Sequence, residues 1–147
     1  MHTIRGNGLF DIRMGKLGGG LSIDDLEHLN FEPYQIEGRE GVSIFYLYDA
    51  RQNAQGPVAA LVRYVPGALT PRHIHVGWEL VLVVEGELLD DKGAHAAGVL
   101  QIYPPGSSHE LSSVAGCTFL VVWEQPVQVV TSSKNTADAA STPEAGV

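Results

Sequence analysis

From Val42 onward the chain is a succession of short apolar runs, each stopped by Gly, Pro or Asp, and this rhythm restricts the fold more than any other feature. The runs are Val42 to Tyr48, Val58 to Val65, Glu79 to Val84, Leu88 to Leu89, Val99 to Tyr103, Cys117 to Trp123 and a weak one from Val127 to Val130. Runs this short, rich in Val, Leu and aromatic residues, read as strands, and their regular spacing predicts an all-β sandwich or small antiparallel β-barrel. Glu85-Gly86 and Lys92-Gly93 are the expected hairpin turns, because glycine reaches positive φ without a Cβ clash. With 147 residues, one domain can bury roughly 70% of its unfolded surface, enough for a real core.

The flanks read differently. Residues 1–40 are mixed in composition and broken by Gly18-Gly19-Gly20, which predicts an N-terminal arm packed on the barrel or on a partner subunit. Within the arm, Leu21 to Leu26 suits a short helical turn with Ser22 as its cap. Residues 41–130 form the expected barrel. Residues 131–147 are rich in Ser, Thr and Ala, bury too little to offset their ordering entropy, and are expected to be a disordered tail.

One strand predicts an assembly. On Glu79 to Val84, Val81 and Val83 share a face with Glu79, while Leu80, Leu82 and Val84 make the opposite face equally apolar. Cys117 to Val122 is greasy on both sides as well. A strand apolar on both faces is covered on both faces. The barrel interior covers one; the arm or a second subunit must cover the other, and a homodimer is expected.

Composition narrows the class of partner. A formal net charge of −8 opposes binding to nucleic acid or to an anionic membrane, and leaves a small molecule as the expected partner. A single cysteine, Cys117, forms no intrachain disulfide and reads as a small buried hydrophobe. No stretch has the apolar length of a signal peptide or a membrane span, so a soluble cytoplasmic protein is expected.

Chemistry concentrates between Gly67 and Ser113. Gly67, His73, His75, Glu79 and Gly86 form one spaced group; Gly98, Pro104-Pro105-Gly106 and His109 form another. Along a single strand, His73, His75 and Glu79 would project to one side, offering two nitrogens and a carboxylate oxygen to a divalent metal. His109, on a later strand, can close the set. The remaining histidines, His2, His28 and His95, stand alone and read as structural or solvated. Gly77 would lie on the inward face and leave volume beside the metal, or else serve strand curvature; Trp78 would point outward. Pro104-Pro105-Gly106 would turn the chain tightly and aim His109. Candidates for the pocket wall are Tyr46, Tyr48, Arg63, Arg72, Gln101, Tyr103 and Trp123, with Gln101 and Tyr103 favoured by their shared strand face near the second group.

On these spacings the chain resembles the cupin superfamily. The stretch from about Gly41 to Pro126 further resembles the ChrR-like cupins, through Val65-Pro66-Gly67-Ala68, Leu89-Asp90-Asp91-Lys92-Gly93, Tyr103-Pro104-Pro105-Gly106-Ser107 and Gly116-Cys117. One position departs: Ser113 stands where the second cupin motif usually has Asn, which bears on local hydrogen bonding and not on the ligands. The resemblance implies a jelly-roll double-stranded β-helix and one divalent metal per chain on His73, His75, Glu79 and His109. Fe(II) is favoured, with Zn, Mn or Ni as alternatives.

Six-coordinate ions would keep two positions open for substrate or dioxygen, whereas zinc would be nearly closed by four ligands. The leading expectation is a metal-dependent dioxygenase of the diketone-cleaving type, with Glu79 and Tyr103 as proton-handling candidates. A non-catalytic sensor of small molecules or oxidants, and a metal-dependent isomerase or dehydratase, are the alternatives. Two departures qualify the resemblance. The diketone-cleaving dioxygenases use three histidines without the carboxylate present here as Glu79. The ChrR-like anti-sigma factors carry an additional zinc domain with Cys ligands, and no cysteine precedes Cys117.

Overall fold

Every apolar run becomes a strand, but two of the strands grow well past the runs that seed them. The computed structural model describes residues 20–130, so the expected tail and the start of the arm lie outside the described residues. The strands are β1 (Glu32–Pro33), β2 (Glu40–Asp49), β3 (Val58–Ile74), β4 (Glu79–Asp90), β5 (Gly93–Ala96), β6 (Leu100–Tyr103), β7 (Ser108–Ser113), β8 (Cys117–Trp123) and β9 (Gln128–Val129). β3 runs straight through Pro66-Gly67, and β4 absorbs both Glu79 to Val84 and Leu88 to Leu89.

Those two long strands close the barrel. β3 pairs with β8 through its first half and with β7 through its second. β4 likewise pairs with β8 near its start and meets β7 at Leu89↔Ser112. The circuit β3–β8–β4–β7 therefore returns to β3, and no edge is left within it. Register shifts between Thr70 and His73 on β3, and between Val83 and Glu85 on β4, supply the bends that closure requires.

Glu85-Gly86 is one of those bends and not the expected hairpin turn. Gly86 has φ 71°, and a Cβ there would stand 2.2 Å from the Gly116 carbonyl oxygen. Only glycine lets the two backbones cross this closely. The turn expected at Lys92-Gly93 is a hairpin, with Asp90 paired to Gly93 and the Lys92 N–H donated to Asp90 Oδ1.

Alternation fills the interior. Val42, Ile44, Val62, Val81, Val83, Phe119 and Val121 point inward and are almost fully buried. Each such side chain contributes about 1.5–3 kcal/mol by leaving water. Outside, the 3-10 helix Ile23–His28 sets Leu26 and Leu29 on Phe45 and Leu61, with Val84 and Leu120 at the margin. Asp25 accepts hydrogen bonds from the N–H and hydroxyl of Ser22, as expected of a cap. The arm thus covers one part of the outer apolar surface. Another part, Trp78, Leu80, Leu100 and Ile102, stays 39–54% exposed.

Candidate metal centre

His73 and His75 turn inward while Ile74, between them, is exposed, as strand alternation requires. Glu79 arrives by another route. β3 ends at Ile74 and β4 begins at Glu79, with a bend at Val76-Gly77 between them, so the carboxylate does not share a strand with the imidazoles. The expectation that Gly77 leaves volume beside the metal is not met. A Cβ there would come within 3.0 Å of Glu124 Cβ and 3.1 Å of the Gln125 nitrogen, so the missing side chain lets the bend pack against that segment. Trp78 is half exposed, as expected, and its N–H reaches Glu124.

Pairing across the barrel brings the remaining groups in. His73 lies opposite His109 in the β3–β7 ladder. Glu79 lies between Tyr103 of β6 and Trp123 of β8. Pro104-Pro105-Gly106 turns tightly, with Gly106 at φ 84°, the conformation a type II turn asks of its third residue. The turn hands Ser107 to His75: the His75 N–H donates to the Ser107 carbonyl, and the His75 carbonyl accepts from Gly106.

His73, His75, Glu79 and His109 are all buried, and one ligand atom from each lies within 4.8 Å of the others. The outer nitrogens set the tautomers. His73 Nδ1 is 3.0 Å from the Pro71 carbonyl, which can only accept. Ser107 gives its hydroxyl proton to Pro104 O at 2.6 Å and therefore accepts from His75 Nδ1 at 2.9 Å. With protons held at Nδ1, both Nε2 lone pairs face inward. Trp123 Nε1 donates to Glu79 Oε1 at 2.6 Å and turns Oε2 toward the same point.

The inner contacts do not satisfy one another. His109 Nε2 lies 2.9 Å from His73 Nε2 and 3.2 Å from His75 Nε2. Glu79 Oε2 lies 2.9 Å from His75 Nε2 and 3.3 Å from His109 Nε2, yet it makes no well-directed hydrogen bond among the described residues. A proton on His109 serves one of these contacts; the others remain acceptor against acceptor. A cation resolves all of them. Bonds of about 2.0–2.1 Å to a central ion set neighbouring ligand atoms roughly 2.9–3.4 Å apart in octahedral or tetrahedral geometry. The His/His/Glu/His cluster is therefore compatible with one metal ion.

Electrostatics follow from the same packing. Burial raises the Glu79 carboxyl, but the imidazoles of His109 and His75 outweigh it and hold the group at about 2. Burial, with repulsion from His109, drops His73 to about 4. The ring of Tyr103 packs edge-on against His109, with centroids 4.3 Å apart, and lies 5.3 Å from that of His75. Its hydroxyl is already donated to Asp90 Oδ2 at 2.7 Å, and burial followed by the Asp90 carboxylate pushes the phenol well above its ordinary value. Tyr103 in this geometry packs against the imidazole rings, with its phenol proton shared with Asp90. His109 Nδ1 has no hydrogen-bond partner among the described residues, and its ring packs edge-on against Tyr103. Asp90 also takes His95 Nε2 at 2.8 Å, and His95 Nδ1 meets Gln101, which places Gln101 in this supporting network.

A narrow pocket opens beside His73 and Glu79, with about 20 Å³ of free interior, room for a water or two. Tyr34, Arg39, Tyr64, Thr70, Phe119 and Trp123 wall it. An outer recess of about 100 Å³ shares Tyr34 and Trp123 with it and adds Glu37, Tyr46 and Arg51. Of the remaining wall candidates, Tyr48 is exposed, Arg63 lies over Phe31 and donates to Leu26 O, and Arg72 pairs with Asp91 on the surface. Sequence reasoning missed Tyr34, Arg39, Ser107 and the contact made by Trp123. Tyr34, Arg39 and Ser107 lie just outside strands, and no motif along the chain marks their role.

Ser113 restores the hydrogen bonding its departure put in question: it is buried and its hydroxyl donates to Glu87 O at 2.6 Å. Cys117 is buried too, and that burial raises its thiol to about 11.

Residues 24–127 match the family model described as the ChrR cupin-like domain. No curated protein matches the sequence. Among solved structures, the polyketide cyclase RemF from Streptomyces resistomycificus is 22% identical with a TM-score of 0.62, over 80% of this chain and 89% of that one. An acetylacetone dioxygenase from Acinetobacter johnsonii is 15% identical with a TM-score of 0.63, over 77% and 76%. The complex of Rhodobacter sphaeroides SigE with the anti-sigma ChrR gives 21% identity and a TM-score of 0.55, over 78% of this chain and 55% of that one. At these identities the likeness is one of fold.

Proposed function

The chain belongs to the ChrR cupin-like domain family, and from that premise we propose that it is a metal-dependent enzyme acting on a small oxygenated organic molecule, with dioxygenase chemistry as the leading reaction. The observation that carries this is the convergence of four buried ligand atoms beside a narrow pocket lined by two of them, His73 and Glu79. A bound divalent ion would supply Lewis acidity and, if six-coordinate like Fe(II), two further positions for an oxygenated substrate and dioxygen.

The chain's own residues do the rest. Glu79 stays ionised down to acid pH and offsets one charge of the ion. Trp123, Ser107 and the Pro71 carbonyl hold three of the four ligands in their binding orientation. Tyr103, anchored by Asp90, packs against the fourth. Val42, Val62, Phe119 and Val121 exclude bulk water from the pocket. The deciding experiment is metal analysis of protein purified without chelator, followed by oxygen uptake with β-diketones. Iron together with uptake supports the enzyme.

A second reading, a sensor of small molecules or oxidants without turnover, draws on the family match and on the restricted free interior. Stoichiometric zinc and no turnover would favour it. In either case the exposed Leu80, Leu100 and Ile102 suit a homodimer.

A further inference from the structure

One buried cation beside the ligand set keeps part of its hydrogen-bonding capacity unspent. Arg39 is 6% exposed in a protein of formal net charge −8, and it walls the same pocket as His73 and Glu79. Both hydrogen bonds of its side chain to described residues come from one nitrogen: Nη1 donates to Ile36 O at 3.2 Å and to Glu37 Oε2 at 2.9 Å. The guanidinium lies 4.6 Å from the centre of the Tyr34 ring, which fixes its plane. Nε and Nη2 donate to no described residue. A guanidinium held flat, with two donors unspent beside a pocket walled mostly by apolar side chains, is half of a bidentate carboxylate site.

Glu37 supplies the present counter-ion, and its position is provisional. Its side chain is 46% exposed, against 4% for Arg39, so the pair is half screened by water. It stands on the outer recess while Arg39 lines the inner pocket. Its backbone is at φ 56°, a left-handed conformation that residues other than glycine seldom adopt. This turn places one carboxylate at the entrance, where an incoming carboxylate would take over the same guanidinium.

We propose that Arg39 is an anion anchor and that the inner pocket, joined to the outer recess of about 100 Å³ when Glu37 swings away, selects a small carboxylate carrying a second oxygen function, of the β-keto acid type, with Glu37 as the internal competitor it displaces. The second oxygen's partner rests on the metal-dependent reading above; the anchor does not. A neutral β-diketone gains nothing from Arg39, whereas a keto acid of the same size gains a charge-assisted pair.

The test titrates acetoacetate and its neutral analogue acetylacetone into manganese-loaded and into chelator-treated protein, following tryptophan fluorescence, since Trp123 borders the pocket. Wild-type protein should prefer acetoacetate. Arg39→Gln should lower acetoacetate affinity by about tenfold or more, the loss expected for a charge-assisted hydrogen bond, with acetylacetone binding and metal content unchanged. Glu37→Gln should tighten acetoacetate severalfold and leave acetylacetone alone. Equal loss of both ligands in Arg39→Gln, no gain in Glu37→Gln, or no carboxylate binding in either form overturns the anchor. If Arg39→Gln does not fold, the Glu37→Gln titration decides by itself. Failure of the metal reading shows separately, as manganese that is not retained, and the chelator-treated titration still tests Arg39.

Discussion

Trp123 donates its indole N–H to Glu79 Oε1 at 2.6 Å, and this single contact turns the other carboxylate oxygen toward three imidazoles. The two residues face each other across the β4–β8 ladder although 44 positions separate them in the chain. Trp123→Phe keeps the packing and removes the donor. Metal affinity should fall by about 10–100-fold, as for other partners that orient a ligand, while the fold is retained. Metal titration with a competing chelator measures it, and unchanged affinity would remove Trp123 from the site.

His75 and Ser107 make a graded pair. His75→Ala should strip most of the metal from protein purified without chelator, read by elemental analysis. Ser107→Ala removes only the acceptor that fixes the His75 tautomer, so metal should be retained but bound about tenfold more weakly. Equal effects would show that Ser107 does more than orient the ring; full metal content in His75→Ala would refute the ligand assignment.

Acid should weaken the metal-free protein in two steps. His73 is held at about 4 against an ordinary 6.5, so between these values the unfolded chain binds the proton and the folded one does not. Stability is therefore lost as pH falls from about 6.5 toward 4, on the order of 3 kcal/mol in full. Glu79, held at about 2 against 4.5, adds a loss of the same sign at lower pH. Urea melts of chelator-treated protein from pH 7 to 3 should show this fall. In loaded protein the metal competes with those protons and should be released over the same range. Stability that stays flat through this range would contradict the burial assigned to His73.

Gly86→Ala tests barrel closure. The added Cβ meets the Gly116 carbonyl and the backbone is at positive φ, so a loss of roughly 2–4 kcal/mol is expected in denaturant unfolding. A loss under about 1 kcal/mol would mean that the crossing can relax.

Leu80 and Ile102 pair across β4 and β6 and are both exposed. Sedimentation should show a dimer, and Leu80→Lys with Ile102→Lys should give a folded monomer. A monomeric wild type would leave this patch without a role in assembly.

Much of this was legible along the chain. The strand runs and the inward turn of His73 and His75 follow from a period of two, and the hairpin at Lys92-Gly93 from glycine's access to positive φ, all local properties of the backbone. Glu79 stands out by its spacing from the histidines, but strand alternation does not explain its place: it starts the next strand after a bend instead of continuing the first.

What the residues determined alone was the class of fold and the identity of four groups able to bind a metal, because alternation and side-chain chemistry need no knowledge of neighbours. Tertiary structure decided the rest: that His73 faces His109, that Trp123 and Ser107 orient ligands, and that Tyr34 and Arg39 reach the pocket from outside the expected barrel. Those relations depend on register and closure, which are set by hydrogen bonds between segments far apart in sequence.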